Sequence, residues 1–211
     1  MQILALDTAS PLPSVTLFVR GEVWEETFPQ DRRASEELLP AIGRCLTAAA
    51  TVLSACGRIA VCSGPGSFTG LRIGLATAWA LGRAANVPVE TVSTLEALAE
   101  TARGRGSSRV AAALDAGRGD VVLGLYSLEG ARARPEAPPV RLSIEEARER
   151  AALLETVALP RDLLGSDARE SGISPSRALA LAVARAPGDP ASSLEGIYSR
   201  PSAAEEKHGA P

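Results

Sequence analysis

The 211-residue chain has only one His and one Lys, His208 and Lys207, and both stand in a polar segment at its end. A Ser-His-Asp or Cys-His site needs an imidazole beside the nucleophile, a zinc-protease helix needs two His, and a Walker A loop needs a Lys against the phosphates. None of these sites can be built in the body of the chain. We therefore expect none of these catalytic or metal-binding sites in the body of the chain.

Cysteine is also scarce: the chain has three, Cys45, Cys56 and Cys62. Their number is odd and no two of them form a Cys-x-x-Cys pair, which argues against a disulfide framework. Because free Cys is among the residue types most often buried, we expect three core thiols.

Aromatic residues and concentrated positive charge are missing as well. The chain has two Trp, two Tyr and three Phe, too few for a base-stacking platform, and its Arg residues are scattered within a net charge of −3. No apolar run reaches the ~18 residues of a membrane helix, and the opening residues lack a basic region before their apolar stretch. We therefore expect a cytoplasmic protein that neither enters a membrane nor binds RNA by itself.

What the chain does contain is an α/β pattern. Hydrophobic residues make up 45% and charged residues 22%, and the length suits one ample domain or two small ones. Apolar and alternating runs predict strands, and apolar residues at helical spacing predict helices. In the first half the predicted strands are 2–7, 15–19, 22–28, 58–62 and 87–92, and the predicted helices are 35–53, 70–85 and 94–103.

The pattern begins again after Gly104–Ser108, a short flexible stretch without apolar anchors. The next strand, 109–115, ends in Ala-Leu-Asp as the first strand does, which indicates an internal repeat. Further strands are predicted at 121–128, at 133–142 with a break at its prolines, and at 159–165, and helices at 143–154 and 175–186. We therefore predict two related α/β lobes, residues 1–106 and a shorter second lobe of residues 107–211 that ends in a polar tail.

Polar residues follow the first strand of each repeat: Asp7, Thr8 and Ser10 in the first, and Asp115 in the second. In duplicated folds that hold a nucleotide between two lobes, an acidic residue at this place binds metal and phosphates. These four residues are candidate remains of a nucleotide site. The alternative is that the Asp and Ser side chains form an Asx turn.

The loop Gly64-Pro65-Gly66-Ser67-Phe68-Thr69 lies between a predicted strand and a predicted helix. Free backbone N–H groups at such a place could hold an anion. The alternative is a stiff turn in which Thr69 caps the helix. The loop lacks the Lys of a Walker A motif and does not match Gly-x-Ser-x-Gly.

The helix after this loop carries Gly70, Gly74, Ala78 and Gly82 at every fourth position and is apolar almost all round. Each Gly inside a helix costs about 1 kcal/mol relative to Ala, so this row predicts a close backbone approach by another helix. We expect that helix to belong to a second chain. The alternative is that helix 35–53 of the same lobe covers the row.

The eleven residues Gly64–Gly74, Gly-Pro-Gly-Ser-Phe-Thr-Gly-Leu-Arg-Ile-Gly, resemble a block of the bacterial TsaB (YeaZ) family. The opening Ile-Leu-Ala-Leu-Asp-Thr, the Glu-Glu-Leu-Leu-Pro segment and the late Ile-Tyr-Ser-Arg are also similar to that family, so the likeness spans essentially the whole chain. A His that the family often has before Glu-Leu-Leu-Pro is missing, and Arg33, Ala34 and Ser35 stand there. The resemblance implies an actin-like fold of the sugar kinase and Hsp70 superfamily, with two related lobes of which the second is smaller.

The resemblance also implies a role in making threonylcarbamoyladenosine (t6A) at position 37 of tRNA. TsaB-like proteins are the non-catalytic partners of TsaD, a paralogue that binds a metal through a His-x-x-x-His helix and transfers the threonylcarbamoyl group. TsaE, an ATPase, joins them in a ternary complex, tRNA is met only through that complex, and a homodimer is implied where TsaD is missing. In this chain the corresponding residues Thr94–Glu100 contain no His.

Because the dimers of the family use the first-lobe helices, we expect a helical bundle with TsaD or with a second copy. The candidate partner-binding residues are Leu38, Ile42, Leu46, Gly70, Leu71, Arg72, Gly74, Leu75, Ala78 and Gly82. Arg72 is predicted to make a polar rim contact or to anchor the loop, the alternative being a solvated side chain. On this hypothesis Gly74→Leu abolishes TsaD binding while the isolated protein still folds.

Three other functions stay open. A nucleotide-dependent transferase or kinase of the same superfamily needs a second phosphate loop and an adenosine-binding Gly-Gly pair, but the chain has no Gly-Gly and offers only Gly165-Ser166-Asp167. A peptidase needs a His or a set of metal ligands. A self-associating scaffold unrelated to tRNA would satisfy the apolar helix equally well.

Overall fold

The computed structural model describes residues 1–28, 34–160, 163–164 and 173–191. Four features named in the sequence analysis lie outside these residues. They are the Ile-Tyr-Ser-Arg strand at 197–200, the polar tail with Lys207 and His208, the Gly165-Ser166-Asp167 segment, and Arg33.

The first sheet has five strands in the order β3-β2-β1-β4-β5. Their bounds are Ile3–Asp7 (β1), Ser14–Val19 (β2), Glu22–Thr27 (β3), Arg58–Cys62 (β4) and Val89–Val92 (β5). The first three form an antiparallel meander, and β4 and β5 continue the sheet parallel to β1. Every residue of β1 is buried, because both faces of the sheet are covered.

Two helices cover one face of this sheet, α1 (Ala34–Ala48) over β2 and β3, and α2 (Phe68–Ala85) over β4 and β5. Leu4 and Leu6 of β1 pack toward this helical layer. Helix α1 ends before the predicted Leu53, since Ala50 takes a left-handed conformation with φ of 48° and a short 3₁₀ turn follows.

The second sheet contains β6 (Arg109–Gly117), β7 (Asp120–Ser127), β8 (Arg134–Pro135), β9 (Val140–Ser143) and β10 (Glu155–Leu159). Strands β8 and β9 both pair with β7, on either side of a proline-containing stretch, which confirms the broken strand predicted from the sequence. The strand predicted at 159–165 is wrong in position: Glu155–Leu159 pair with Val110–Leu114 of β6. Helix α4 (Ile144–Ala151) is accordingly shorter than predicted.

Two helices are exchanged between the sheets. Helix α3 (Thr94–Glu100) follows the first sheet in sequence but packs on β6, β7 and β10, while α5 (Pro175–Arg185) follows the second sheet but packs on β1, β2 and β4. The two helices also contact each other. The boundary between residues 106 and 107 stays a prediction, and both halves of the chain contribute to both apolar cores.

The predicted α/β fold class is confirmed. The meander, helix and parallel strand of the first sheet recur as β6, β7, β8–β9, α4 and β10, so the chain has the two related lobes of an actin-like fold, with a smaller second lobe. Among the described residues, no helix has the length and apolar composition needed to cross a membrane.

Candidate functional site

The turn after β1 is closed and uses its own polar groups. Asp7 is fully buried, and its Oδ1 accepts hydrogen bonds from the backbone N–H of Ala9 at 3.0 Å and of Ser10 at 3.1 Å. The Ser10 hydroxyl donates to Asp7 Oδ2 at 2.5 Å. Burial raises the pKa of the Asp7 carboxyl above its usual range, against the lowering effect of these hydrogen bonds. The contacts therefore favour the Asx turn over a nucleotide site at Asp7.

The other candidate nucleotide residues differ from Asp7 in their surroundings. The Thr8 hydroxyl is buried and donates to the carbonyl oxygen of Gly70 at 2.7 Å, which ties β1 to α2. Asp115 is exposed and accepts a hydrogen bond from the Gly117 N–H at 2.6 Å in the equivalent turn of the second lobe. Only Asp115 among the four residues faces solvent.

The loop Gly64–Thr69 connects three elements of the protein. Gly64 accepts a hydrogen bond from the Thr94 N–H at 2.8 Å and donates its own N–H to the Thr94 hydroxyl at 3.1 Å, which joins the loop to α3. The Ser67 N–H donates to the Ala9 carbonyl oxygen at 2.8 Å, which joins it to the Asp7 turn. The loop therefore holds the end of β1 and the start of α3 in place.

Ser67, and not Thr69, caps α2. The Ser67 hydroxyl accepts a hydrogen bond from the Gly70 N–H at 3.2 Å, and the helix begins at Phe68, two residues before the predicted start. The alternative of a stiff turn is thus the one that the hydrogen bonds favour, although the predicted capping residue is wrong.

The glycine row of α2 faces the protein's own sheet. A Cβ placed on Gly70 would overlap the Thr8 carbonyl oxygen, and one placed on Gly74 would overlap the Thr8 hydroxyl. A Cβ on Gly82 would lie 2.5 Å from the Cγ2 of Val89. The close approach predicted from the glycines exists, but it is made by β1 and β5 of the same lobe.

Most members of the predicted partner-binding set lie away from the surface of the first lobe. Eight of the predicted contact residues are buried inside the first lobe: Leu38, Ile42, Gly70, Leu71, Gly74, Leu75, Ala78 and Gly82. They pack on the strands beneath the helices, so no second chain can reach them without unfolding the lobe. Of the other two, Leu46 is half-buried and Arg72 is exposed.

Arg72 lies over the loop. Its guanidinium carbon is 4.1 Å from the centroid of the Phe68 ring, one turn earlier on the same helix. A cation above an aromatic face is favourable, so Arg72 covers Phe68 on the solvent side of the loop. Its assignment to a partner's rim stays a prediction.

The solvent side of the two first-lobe helices forms a second surface, which we call the outer face. It consists of Leu39, Pro40, Gly43 and Leu46 on α1 and Ile73, Ala76 and Ala80 on α2. Leu39 is 58% exposed, and a Cβ on Gly43 would meet nothing within 4 Å. The seven outer-face side chains are small or apolar, and the exposed charged residues Glu36 and Arg44 on α1 and Arg72 and Arg83 on α2 border them.

One charged side chain beside the outer face, Arg44 of α1, is paired within its own lobe. Arg44 donates to a carboxylate oxygen of Glu26 at 3.1 Å and lies 3.7 Å from Glu37. Because these carboxylates occupy the guanidinium, the apolar residues on either side of Arg44 are left as the accessible part of the helix.

A cavity of about 530 Å³ lies at the end of α2. Trp79, Arg83, Asn86, Pro88 and Pro190 are among its lining residues. It contains one basic side chain and no carboxylate, so its chemistry does not resemble a metal site. Within the described ranges, no group of three or more His, Cys, Asp or Glu side chains could hold a metal ion.

The three cysteines are buried and free, as predicted. Burial raises the pKa of Cys45 and of Cys56 to about 11, and that of Cys62, which lies near Asp7, well above its usual value. Thiols held protonated in this way are poor nucleophiles.

Comparisons with known proteins connect these features to one family. A family model described as "TsaD: tRNA N6-adenosine threonylcarbamoyltransferase" matches residues 27–150. The "tRNA threonylcarbamoyladenosine biosynthesis protein TsaB" of Escherichia coli is 40% identical over 127 residues, which are 60% of this chain and 55% of that protein. The protein of the same name from Bacillus subtilis is 33% identical over 127 residues, with the same shares. The matched region thus spans about half the length of these curated relatives.

A solved structure extends the match over almost the whole chain. YeaZ from Pseudomonas aeruginosa superposes with a TM-score of 0.76 at 30% identity, covering 93% of this chain and 99% of that one. The family model covers more than half of the sequence, and the YeaZ structure has the same two lobes throughout. The chain belongs to the TsaB (YeaZ) family.

Proposed function

We propose that this protein takes part in the synthesis of t6A in tRNA as a non-catalytic subunit that binds and activates a TsaD-type catalytic subunit. The observation that carries the proposal is the uncharged outer face of α1 and α2. The relatives named TsaB supply the pathway. TsaE, a homodimer formed without TsaD and a cytoplasmic location belong to the same proposal.

The outer face has the properties of a helical docking surface. Leu39 leaves more than half of its surface in water, and the residues around it on both helices are apolar or small. Ala76, Ala80 and Gly43 have little or no side chain, so a partner helix can approach the backbone closely. Two neighbouring helices of this kind can form a four-helix bundle with two helices of a related subunit.

This assignment keeps the predicted bundle but changes its contact residues. The glycine row holds α2 on its own sheet, and the opposite side of the same helix, with Ile73, Ala76 and Ala80, is the side offered to the partner. Leu46, in the last turn of α1, and Arg72, near the start of α2, stay in the proposed contact set.

The non-catalytic role is supported by the Asp7 turn. A nucleotide-binding acidic residue must present its oxygens to metal or phosphate, whereas both oxygens of Asp7 are buried and accept hydrogen bonds from Ala9 and Ser10. The loop before α2 is joined to this turn by the hydrogen bond from the Ser67 N–H to the Ala9 carbonyl oxygen.

The test compares binding of a TsaD subunit to outer-face variants and to a matched variant of the second lobe. Ala76→Arg and Leu39→Glu place a charge in the proposed interface, and each is expected to weaken binding by more than tenfold in calorimetry. The control is Leu153→Glu, since Leu153 is 98% exposed in the second lobe. Equal binding by all of these proteins would contradict the proposal.

A reconstituted reaction tests the pathway. With TsaD, TsaE, tRNA, ATP, threonine and bicarbonate, we expect t6A only when both this protein and TsaD are present, and less of it with Ala76→Arg. Product formed by this protein alone would indicate an enzyme. No dependence of the reaction on this protein would indicate an unrelated scaffold.

A further inference from the structure

We propose that the two lobes are locked in one fixed orientation by a buried charged cluster between them. This junction cluster consists of Glu90, Glu96, Glu100, Arg103, Arg132 and Arg185. Glu90 lies in β5, Glu96 and Glu100 lie in α3, and Arg103 follows α3. Arg132 lies between β7 and β8, and Arg185 is the last residue of α5. The inference is independent of the proposed function.

Apolar packing of α3 and α5 also holds the two lobes together. Leu95 and Leu98 of α3 are fully buried in the core of the second sheet, and Leu179 and Val183 of α5 are fully buried against β1. A hinge motion between the lobes would separate α3 from α5, which pack on each other between the two sheets. Hinges normally lie in a few loop residues that cross between bodies, and two exchanged helices leave no such simple axis.

Arg132 joins three elements across the junction. It lies between β7 and β8, its Nη2 donates to a carboxylate oxygen of Glu96 in α3 at 2.7 Å, and its Nη1 donates to Glu90 in β5. The same Nη1 reaches the carbonyl oxygen of Ala186, just after α5, at 3.3 Å. The Glu90 side chain is only 3% exposed, so opening the junction would leave a buried charge without its partner.

Glu100 joins the same elements from the other side. Its side chain is 1% exposed and accepts hydrogen bonds from Arg103 Nε at 2.7 Å and from Arg185 Nη2 at 2.5 Å. It also accepts the backbone N–H of Ala133 at 2.5 Å. One carboxylate thus holds α3, α5 and the β7–β8 segment together.

Arg103 makes the remaining contacts of the junction cluster. Its Nη1 donates to the carbonyl oxygens of Leu128 at 2.8 Å and Gly130 at 3.0 Å, in the same segment that carries Arg132. The pairs Arg132–Glu90 and Arg185–Glu100, with the bond from Arg132 to the Ala186 carbonyl oxygen, therefore join elements of the first sheet to elements of the second. Glu96 and Arg103 hold Arg132 and Glu100 in place from the second-sheet side. A network whose members are all partnered is rigid, and it fails as a unit when one member is removed.

The test measures the distance between the lobes in the full chain. Spin labels on Thr47→Cys in α1 and Arg150→Cys in α4 report on opposite lobes, and both positions are exposed whereas the native cysteines are buried. We expect a single narrow distance distribution for the protein and a broader one for Arg132→Met. The control is Arg109→Met, whose exposed pair with Glu136 lies within the second lobe, and it is expected to keep the narrow distribution.

A broad distribution in the unsubstituted protein would overturn the proposal, and so would an Arg132→Met protein as narrow as the control. Glu96→Gln, which keeps the shape of the side chain, serves if Arg132→Met does not fold. It is expected to broaden the distribution and to speed hydrogen exchange in α3 and α5, and a Glu96→Gln protein unchanged in both would also overturn the proposal.

Discussion

The hydroxyl of Thr8 donates a 2.7 Å hydrogen bond to the carbonyl oxygen of Gly70, and its oxygen fills the space where Gly74 has no side chain. One residue at the end of β1 thus fixes the depth at which α2 sits on the sheet. We expect Thr8→Val to lower the free energy of unfolding by about 1–2 kcal/mol, because a buried polar interaction is lost. Urea unfolding measures this, and the exposed Thr47→Val is the control, expected to change little.

Gly74→Ala and Gly43→Ala are expected to change stability in opposite directions. The added methyl group overlaps the buried Thr8 hydroxyl at Gly74, an overpacking that costs about 1–3 kcal/mol, whereas at Gly43 it meets nothing and gains about 1 kcal/mol of helix propensity. Unfolding midpoints of the two variants and the parent protein measure both. A Gly74→Ala protein as stable as Gly43→Ala would contradict the buried position of the row.

Gly74→Leu is now expected to prevent folding of the isolated protein, since a larger side chain must displace β1 itself. The hypothesis from the sequence predicts instead that the variant folds but does not bind TsaD. Circular dichroism of purified Gly74→Leu distinguishes the two outcomes without any partner present.

Ser67→Ala and Thr69→Ala separate the true cap of α2 from the predicted one. The Ser67 side chain accepts the Gly70 N–H, so its removal is expected to cost about 1 kcal/mol of stability, while Thr69 is exposed and its removal should cost much less. Equal losses in urea unfolding would count against the assignment of the cap.

The buried Asp7 carboxyl makes the free energy of unfolding depend on pH. Its pKa in the folded state is raised above the usual 3.8 by burial, so its contribution to stability is largest below that value and is lost as the pH rises through the folded-state pKa. Asp7→Asn cannot ionise. Its unfolding free energy relative to the parent protein is therefore expected to rise as the pH increases above 3.8, until the folded-state pKa of Asp7 has been passed.

Ser10→Ala is expected to enlarge the pH dependence that Asp7→Asn removes. The Ser10 hydroxyl stabilises the ionised Asp7 carboxylate, so without it the pKa of Asp7 should rise further. The total loss of stability with rising pH should then be larger and should extend to higher pH. Unfolding measured at several pH values checks both variants. Parallel pH curves for the parent and both variants would contradict this account of Asp7.

The fold could be predicted from the sequence because its signals are local. Apolar runs marked β1 and β4, the short runs at 15–19 and 22–28 marked β2 and β3, and prolines marked the break between β8 and β9. The predicted ends of the strands were less accurate, as at β10, because a short apolar stretch can be extended in either direction without changing its pattern.

The candidate site could be predicted only in part. The spacing of Gly70 and Gly74 places both on one face of α2 and requires a close neighbour, but spacing cannot tell whether that neighbour is β1 or another chain. Likewise, Leu38 and Leu39 are adjacent in sequence, yet one is 1% and the other 58% exposed. Only the direction in which α1 lies on the sheet decides which of the two is accessible.

The exchanged position of α5 determines when the protein can fold during translation. Ile3 and Ala5 are made well before Pro175–Arg185, the helix that covers their side of the sheet. Until that helix leaves the ribosome, one apolar surface of the first sheet lacks its cover. The first sheet therefore completes its core only after α5 has been made.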